Sequence, residues 1–81
     1  MSRTIVTAEL IKRKTEDGLV EMNDDIPIGK IYQVDLSTIR TGKGLNTVHN
    51  IKWEREVIDV KDDDAGDWRW MPTELLSIWK E

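Results

Sequence analysis

The chain has 81 residues, a formal charge of −4, no cysteine and one histidine. That length supports a single small domain, residues 1–81, whose thin core removes only about 60–65% of the unfolded surface from water. Disulfide staples, thiolate metal sites and sites needing two imidazoles are thereby excluded.

Four tryptophans and no phenylalanine make indoles the expected source of aromatic core volume. No run approaches the roughly 20 apolar residues of a membrane span, and because the opening Met-Ser-Arg-Thr leads into no long apolar run, a signal or transit segment is not expected. A cytoplasmic protein without membrane contact or cofactor is expected. Charge is uneven, with −2 over residues 1–29, +3 over 30–55 and −5 over 56–81. Nucleic-acid binding needs a basic face, which only the middle third can offer.

Residues 3–14 place Val6, Ala8 and Leu10 on one face at period two, which predicts a strand. Thr-Glu-Asp-Gly at 15–18 reads as a turn, and 19–22 as a returning strand of an N-terminal hairpin. After Asn-Asp-Asp at 23–25, Pro27 biases Ile26 towards an extended conformation. Residues 30–36 then alternate, with Tyr32, Val34 and Leu36 on one side. Residues 37–40 either extend that strand or close it with a helical turn. Two glycines and two asparagines make 41–50 a permissive long loop. A strand over 51–60 follows, and its apolar positions change face near Glu56, which suggests a bulge or strong bend.

An acidic turn over 61–67 leads to Trp68-Arg69-Trp70, a strand with both indoles on one face, and Pro72 stops it. Thr73-Glu74-Leu75-Leu76 suits one helical turn, and 77–79 is read as a last short strand. The segment Trp68-Arg69-Trp70-Met71-Pro72-Thr73-Glu74-Leu75-Leu76-Ser77-Ile78 resembles the closing segment of SH3-like small barrels, and residues 28–34 look like a strand entering one. The resemblance covers about a third of the chain and rests on pattern. It implies a mainly β fold, a small SH3-like partly open barrel of five to six antiparallel strands with one short 3-10 or helical turn near the C-terminus. The tyrosine-rich strand motif and acidic ligand loop of signalling SH3 domains are missing, so proline-rich peptide binding is not implied. The short chain also resembles small accessory proteins of phages and mobile elements.

The residues offer two candidate surfaces. Trp68 and Trp70, beside Asp63, Asp64 and Asp67, form an aromatic and acidic face for a protein partner. The competing reading places Trp53 and Trp70 in the core. Arg40 and Lys43 in a Gly-rich stretch, with Lys52 and Arg55 on the next strand, form a basic patch for phosphate or nucleic acid. Lys43 is followed by Gly44, which departs from the P-loop pattern G-x-x-x-x-G-K-[ST]. The aspartates near Gly66 lack calcium-loop spacing, and His49 has no local partner for a catalytic triad. A non-catalytic binding or adaptor module is therefore expected, with a nucleic-acid accessory domain as the alternative and homo-oligomerisation as a way to complete a thin core.

Overall fold

The computed structural model describes residues 4–62 and 66–79. Five antiparallel strands form one open sheet: β1 (Ile5–Leu10), β2 (Ile31–Asn46), β3 (Ile51–Lys61), β4 (Trp68–Pro72) and β5 (Leu76–Trp79). Their order across the sheet is β4-β3-β2-β1-β5. A 3-10 turn, Thr73–Leu75, joins the two edge strands. Turn followed by strand is thus the outcome for the C-terminal segment, and Pro72 ends β4 as expected.

The longest strand is shared. β2 pairs with β1 through residues 31–35 and with β3 through 33–35 and 40–46. Between Asp35↔Asp59 and Arg40↔Val57 the register jumps, so residues 36–39 stand opposite Ile58 alone. The irregularity expected near Glu56 therefore lies on β2, and residues 37–40 belong to the strand. Side chains hold the bulge. Buried Asp35 accepts hydrogen bonds from the Ser37 N–H at 3.0 Å and from the Ser37 hydroxyl. Thr38 Oγ1 donates to the Asp35 carbonyl at 2.6 Å and accepts from the Asp59 N–H at 2.9 Å. Such local bonds satisfy backbone groups that the interrupted ladder leaves open.

The core is aliphatic. Ala8, Leu10, Val34, Ile58, Val60, Met71, Leu75 and Leu76 pack together with Tyr32 as the sole aromatic member. Trp70 is instead 47% exposed, and Trp53 is only partly buried. The core reading of these two rings is corrected. The register explains why: Met71 pairs with Ile58 on the inner face, so Trp70, one residue earlier, stands on the outer face.

Two further expectations change. Residues 19–22 form no strand; β1 pairs with β2 and β5, and residues 11–30 make an irregular arm with one bridge, Lys14↔Glu21. Thr15, 3% exposed, donates through Oγ1 to Asp17 at 2.7 Å, and Asp17 accepts from the Leu19 N–H. The Thr15 N–H still donates to the Val20 carbonyl at 3.0 Å and the Met22 N–H to the Arg13 carbonyl at 2.6 Å, so the expected hairpin persists as a short pairing about the 15–18 turn that these side-chain bonds brace. The long loop shrinks to residues 47–50, because Gly42 and Gly44 are strand residues of β2 opposite Arg55 and Trp53. In the acidic turn, Gly66 has φ +74° and donates its N–H to the Asp62 carbonyl at 2.9 Å.

Thr38→Val keeps the side-chain shape but removes both bulge hydrogen bonds. It should destabilise the fold by about 1–3 kcal/mol, read as a lower denaturation midpoint with an unchanged slope.

Candidate binding site

Beyond Val57, β2 and β3 continue as a two-stranded ribbon, and isolated ribbons are marginal in water. Its outer face is made stable by one stacked column. The Trp53 indole lies directly on Gly44, so closely that a methyl group there would overlap the ring. At Gly42 a Cβ would meet Val57 Cγ2 at 2.9 Å. The glycines are therefore required for clearance, since neither has a positive φ. Trp70 from β4 packs on Trp53 with ring centroids 5.5 Å apart and planes tilted by 35°. On another side the Arg55 guanidinium sits 5.6 Å from the Trp53 ring centroid.

Arg55 fastens this column to the rest of the molecule. Its side chain is only 14% exposed and reaches Asp17 Oδ2 in the arm at 2.5 Å and Glu74 Oε1 in the 3-10 turn at 3.7 Å. Nε is buried without a hydrogen-bond partner, so the cation depends on its two carboxylates and the indole face. Glu74 also pairs with Lys12 at 3.3 Å, and Asn46 Nδ2 donates to the Leu19 carbonyl at 2.8 Å. Hydrogen bonds from Arg55, Thr15 and the Leu19 N–H hold the Asp17 carboxyl well below the usual carboxylate range.

Trp70 borders two depressions. One, of about 220 Å³, is lined by Arg40, Gly42, Lys43, Trp53, Val57 and Trp70. Arg40 is held at its edge by Asp59, at 3.0 Å. The other, of about 100 Å³, lies between the arm and the β3–β4 end and is lined by Met22, Ile26, Tyr32, Val60, Trp70 and Met71. Asp62, Asp67 and Arg69 also border it, and Asp62 pairs with Lys30 at 2.8 Å.

The two sequence-based surfaces are thus redistributed. Trp70 joins Arg40 and Lys43 in one depression and meets Asp67 in the other. Trp68 is half-buried at the start of β4, and Asp63 and Asp64 lie outside the described residues. Lys52 is exposed opposite Leu45, while Arg55 is committed to internal partners. His49 is exposed, and its backbone N–H donates to Asn46 Oδ1 at 3.0 Å. Among the described residues no cluster of His, Cys, Asp or Glu is arranged to hold a metal ion. Sequence reasoning missed Met22 and Ile26, which lie in an arm without periodicity, and the anchors Asp17 and Glu74, which are distant in sequence.

A comparison with protein-family models finds no match, and neither the curated proteins nor the solved structures give one. The functional reading therefore rests on the geometry of this chain.

Gly44→Ala should displace the Trp53 ring and destabilise the fold by about 1–3 kcal/mol, with a change in indole emission on native-state spectra. The depressed Asp17 ionisation favours the folded state above the ordinary carboxylate value and loses that effect as acidification protonates the group. Asp17→Asn should therefore lower the thermal midpoint at neutral pH, and its difference from the parent should narrow as pH falls below about 4.

Proposed function

We propose that this chain is a non-catalytic binding module that captures a protein partner on the Trp70 face. The observation that carries the reading is a half-exposed indole, seated on a second indole, at the border of two depressions. An exposed aromatic held in place by packing loses little freedom on binding, which is the character of interface anchors. The strand order β4-β3-β2-β1-β5 and the 3-10 turn between the edge strands support reading the architecture as an SH3-like, partly open barrel. That architecture hosts many functions, so the assignment rests on the Trp70 face. The acidic balance of −4 weighs against a polyanionic partner. The cytoplasm is the compartment proposed for it, and a role as an accessory protein of a phage or mobile element is compatible with a small adaptor.

A second reading has its own support: Arg40 and Lys43 share a depression with both indoles, a combination suited to stacking a base and holding its phosphate. Binding to single-stranded oligothymidylate that weakens steeply with salt and is lost in Lys43→Ala would favour it.

Trp70→Ala decides whether this face acts in binding. Half-exposed, the ring should contribute about 1–2 kcal/mol of burial, so the variant should remain folded while protein capture from native extract is lost. Capture that survives in the folded variant would contradict the reading.

A further inference from the structure

The arm, residues 11–30, is bonded as a unit of its own. Within it the Thr15 N–H donates to the Val20 carbonyl, the Met22 N–H to the Arg13 carbonyl, and Arg13 Nη1 to the Ile26 carbonyl at 2.9 Å. Its ends are pinned together where it leaves and rejoins the sheet. There the Leu10 N–H donates to the Lys30 carbonyl at 2.9 Å, and the Gly29 N–H to the Leu10 carbonyl at 2.8 Å. β1 and β2 therefore keep their register whatever the arm does. Gly29, with φ +95° in open space, supplies a pivot that a residue with a side chain would resist. The body of the arm is fastened to the rest of the molecule chiefly through charged groups. Glu74 in the 3-10 turn accepts from the Glu16 N–H at 2.6 Å, pairs with Lys12 at 3.3 Å and stands 3.7 Å from Arg55, which in turn holds Asp17. Asn46 holds the Leu19 carbonyl. Met22 and Ile26 rest partly buried on the core, while Ile11 and Ile28 stay exposed. A segment with few buried apolar contacts and accessible polar fastenings opens more easily than the fold around it.

We infer that the arm is a latched strap, which swings from the ribbon as a unit about its pinned base, and that the latch at Glu74 and Arg55 governs the Trp70 face from a distance. This rests on the proposed reading of Trp70 as an interface residue and names how that site is regulated. With the arm closed, Met22 and Ile26 wall the depression that Val60, Trp70 and Met71 line from the sheet. With it open that wall is gone, and a partner seated against it loses those contacts. Asp17, Arg55 and Glu74 stand outside the depression, so they act on it through the position of the arm. The affinity of the face then scales with the fraction of molecules whose arm is closed. Glu74 is the hub of the latch, because Lys12, the Glu16 N–H and Arg55 converge on it. Reversing its charge turns those attractions into repulsion of both cations and releases the arm.

Distances between two spin labels on the full chain test the opening directly. The chain has no cysteine, so labels can be placed at Glu16→Cys in the arm and Val48→Cys at the end of the ribbon, both exposed. The labelled parent should give one distance. Glu74→Lys should add a second, longer distance that holds most of the molecules, and Lys12→Glu, which reverses the arm's side of the latch, should add it too. In both variants the Leu10 and Gly29 amides should stay as protected from hydrogen exchange as the sheet, because the base remains pinned. Capture of protein from native extract should fall about tenfold in Glu74→Lys. A short bis-maleimide bridge between Leu19→Cys and Asn46→Cys, which ties the arm down while position 74 stays replaced, should restore it. One unchanged distance in the folded variants, or loss of base protection whenever the arm opens, would overturn the inference. So would capture that survives opening, or a loss of capture that the bridge does not repair. If any of these occurs while Trp70→Ala still abolishes capture, only the regulation fails; if Trp70→Ala leaves capture intact, the Trp70 reading fails and the strap has no binding face to govern.

Discussion

The structure depends on one interruption, the stretch of β2 between Asp35 and Arg40 where four residues face Ile58 alone. Without it, all sixteen residues of β2 would run in one register with a fixed alternation of faces. With it, the first half of β2 closes the core against β1 and β3, and the second half leaves as a ribbon paired only with β3. Asp35, Ser37 and Thr38 make the interruption tolerable by bonding the backbone groups that the broken ladder releases. A bulge also increases local twist, which lets a single sheet wrap around a small core.

The ribbon creates the second constraint. Two strands alone bury too little to hold together, so their outer face carries a column of Gly44, Trp53 and Trp70, flanked by Arg55. Arg55 in turn ties the column to Asp17 in the arm and Glu74 in the 3-10 turn. A largely buried guanidinium is costly unless its charge is met, and here carboxylates from two distant segments meet it. The same interaction that fixes the ribbon therefore fixes the arm, and the arm supplies Met22 and Ile26 to the cleft beside Trp70. Binding surface and stability are coupled through that cation.

Much of this arrangement is legible in the sequence where alternation and turn chemistry act locally. Tyr32 and Val34 alternate into the core, Pro72 ends its strand, and Thr73 to Leu75 form the turn before β5. The indoles are not legible in the same way. Composition says that a chain without phenylalanine needs aromatic volume, but it carries no direction, and the pairing of Met71 with Ile58 places Trp70 outside. The glycines mislead for a related reason. Gly42 and Gly44 read as loop residues until Val57 and Trp53 are seen to occupy the space of their missing side chains. Residues 19–22 look like a full strand because Leu19, Val20 and Met22 are apolar, but their pairing with residues 13–15 stops at one bridge flanked by two backbone bonds, which Thr15 and Asp17 brace.

Exciton coupling between indoles gives a circular dichroism couplet only when two rings are close and held at a fixed angle. The most direct test of the Trp53–Trp70 stack on the outer face is therefore the far-ultraviolet spectrum of the wild type beside Trp53→Phe and Trp70→Phe, each with its unfolding curve. The couplet should be present in the wild type and vanish in both variants, while only Trp53→Phe, which leaves the Gly44 surface poorly covered, lowers the denaturation midpoint appreciably. Equal destabilisation by the two substitutions would indicate a buried Trp70, and no couplet in the folded wild type would show that the two rings are not stacked; either result would contradict the account.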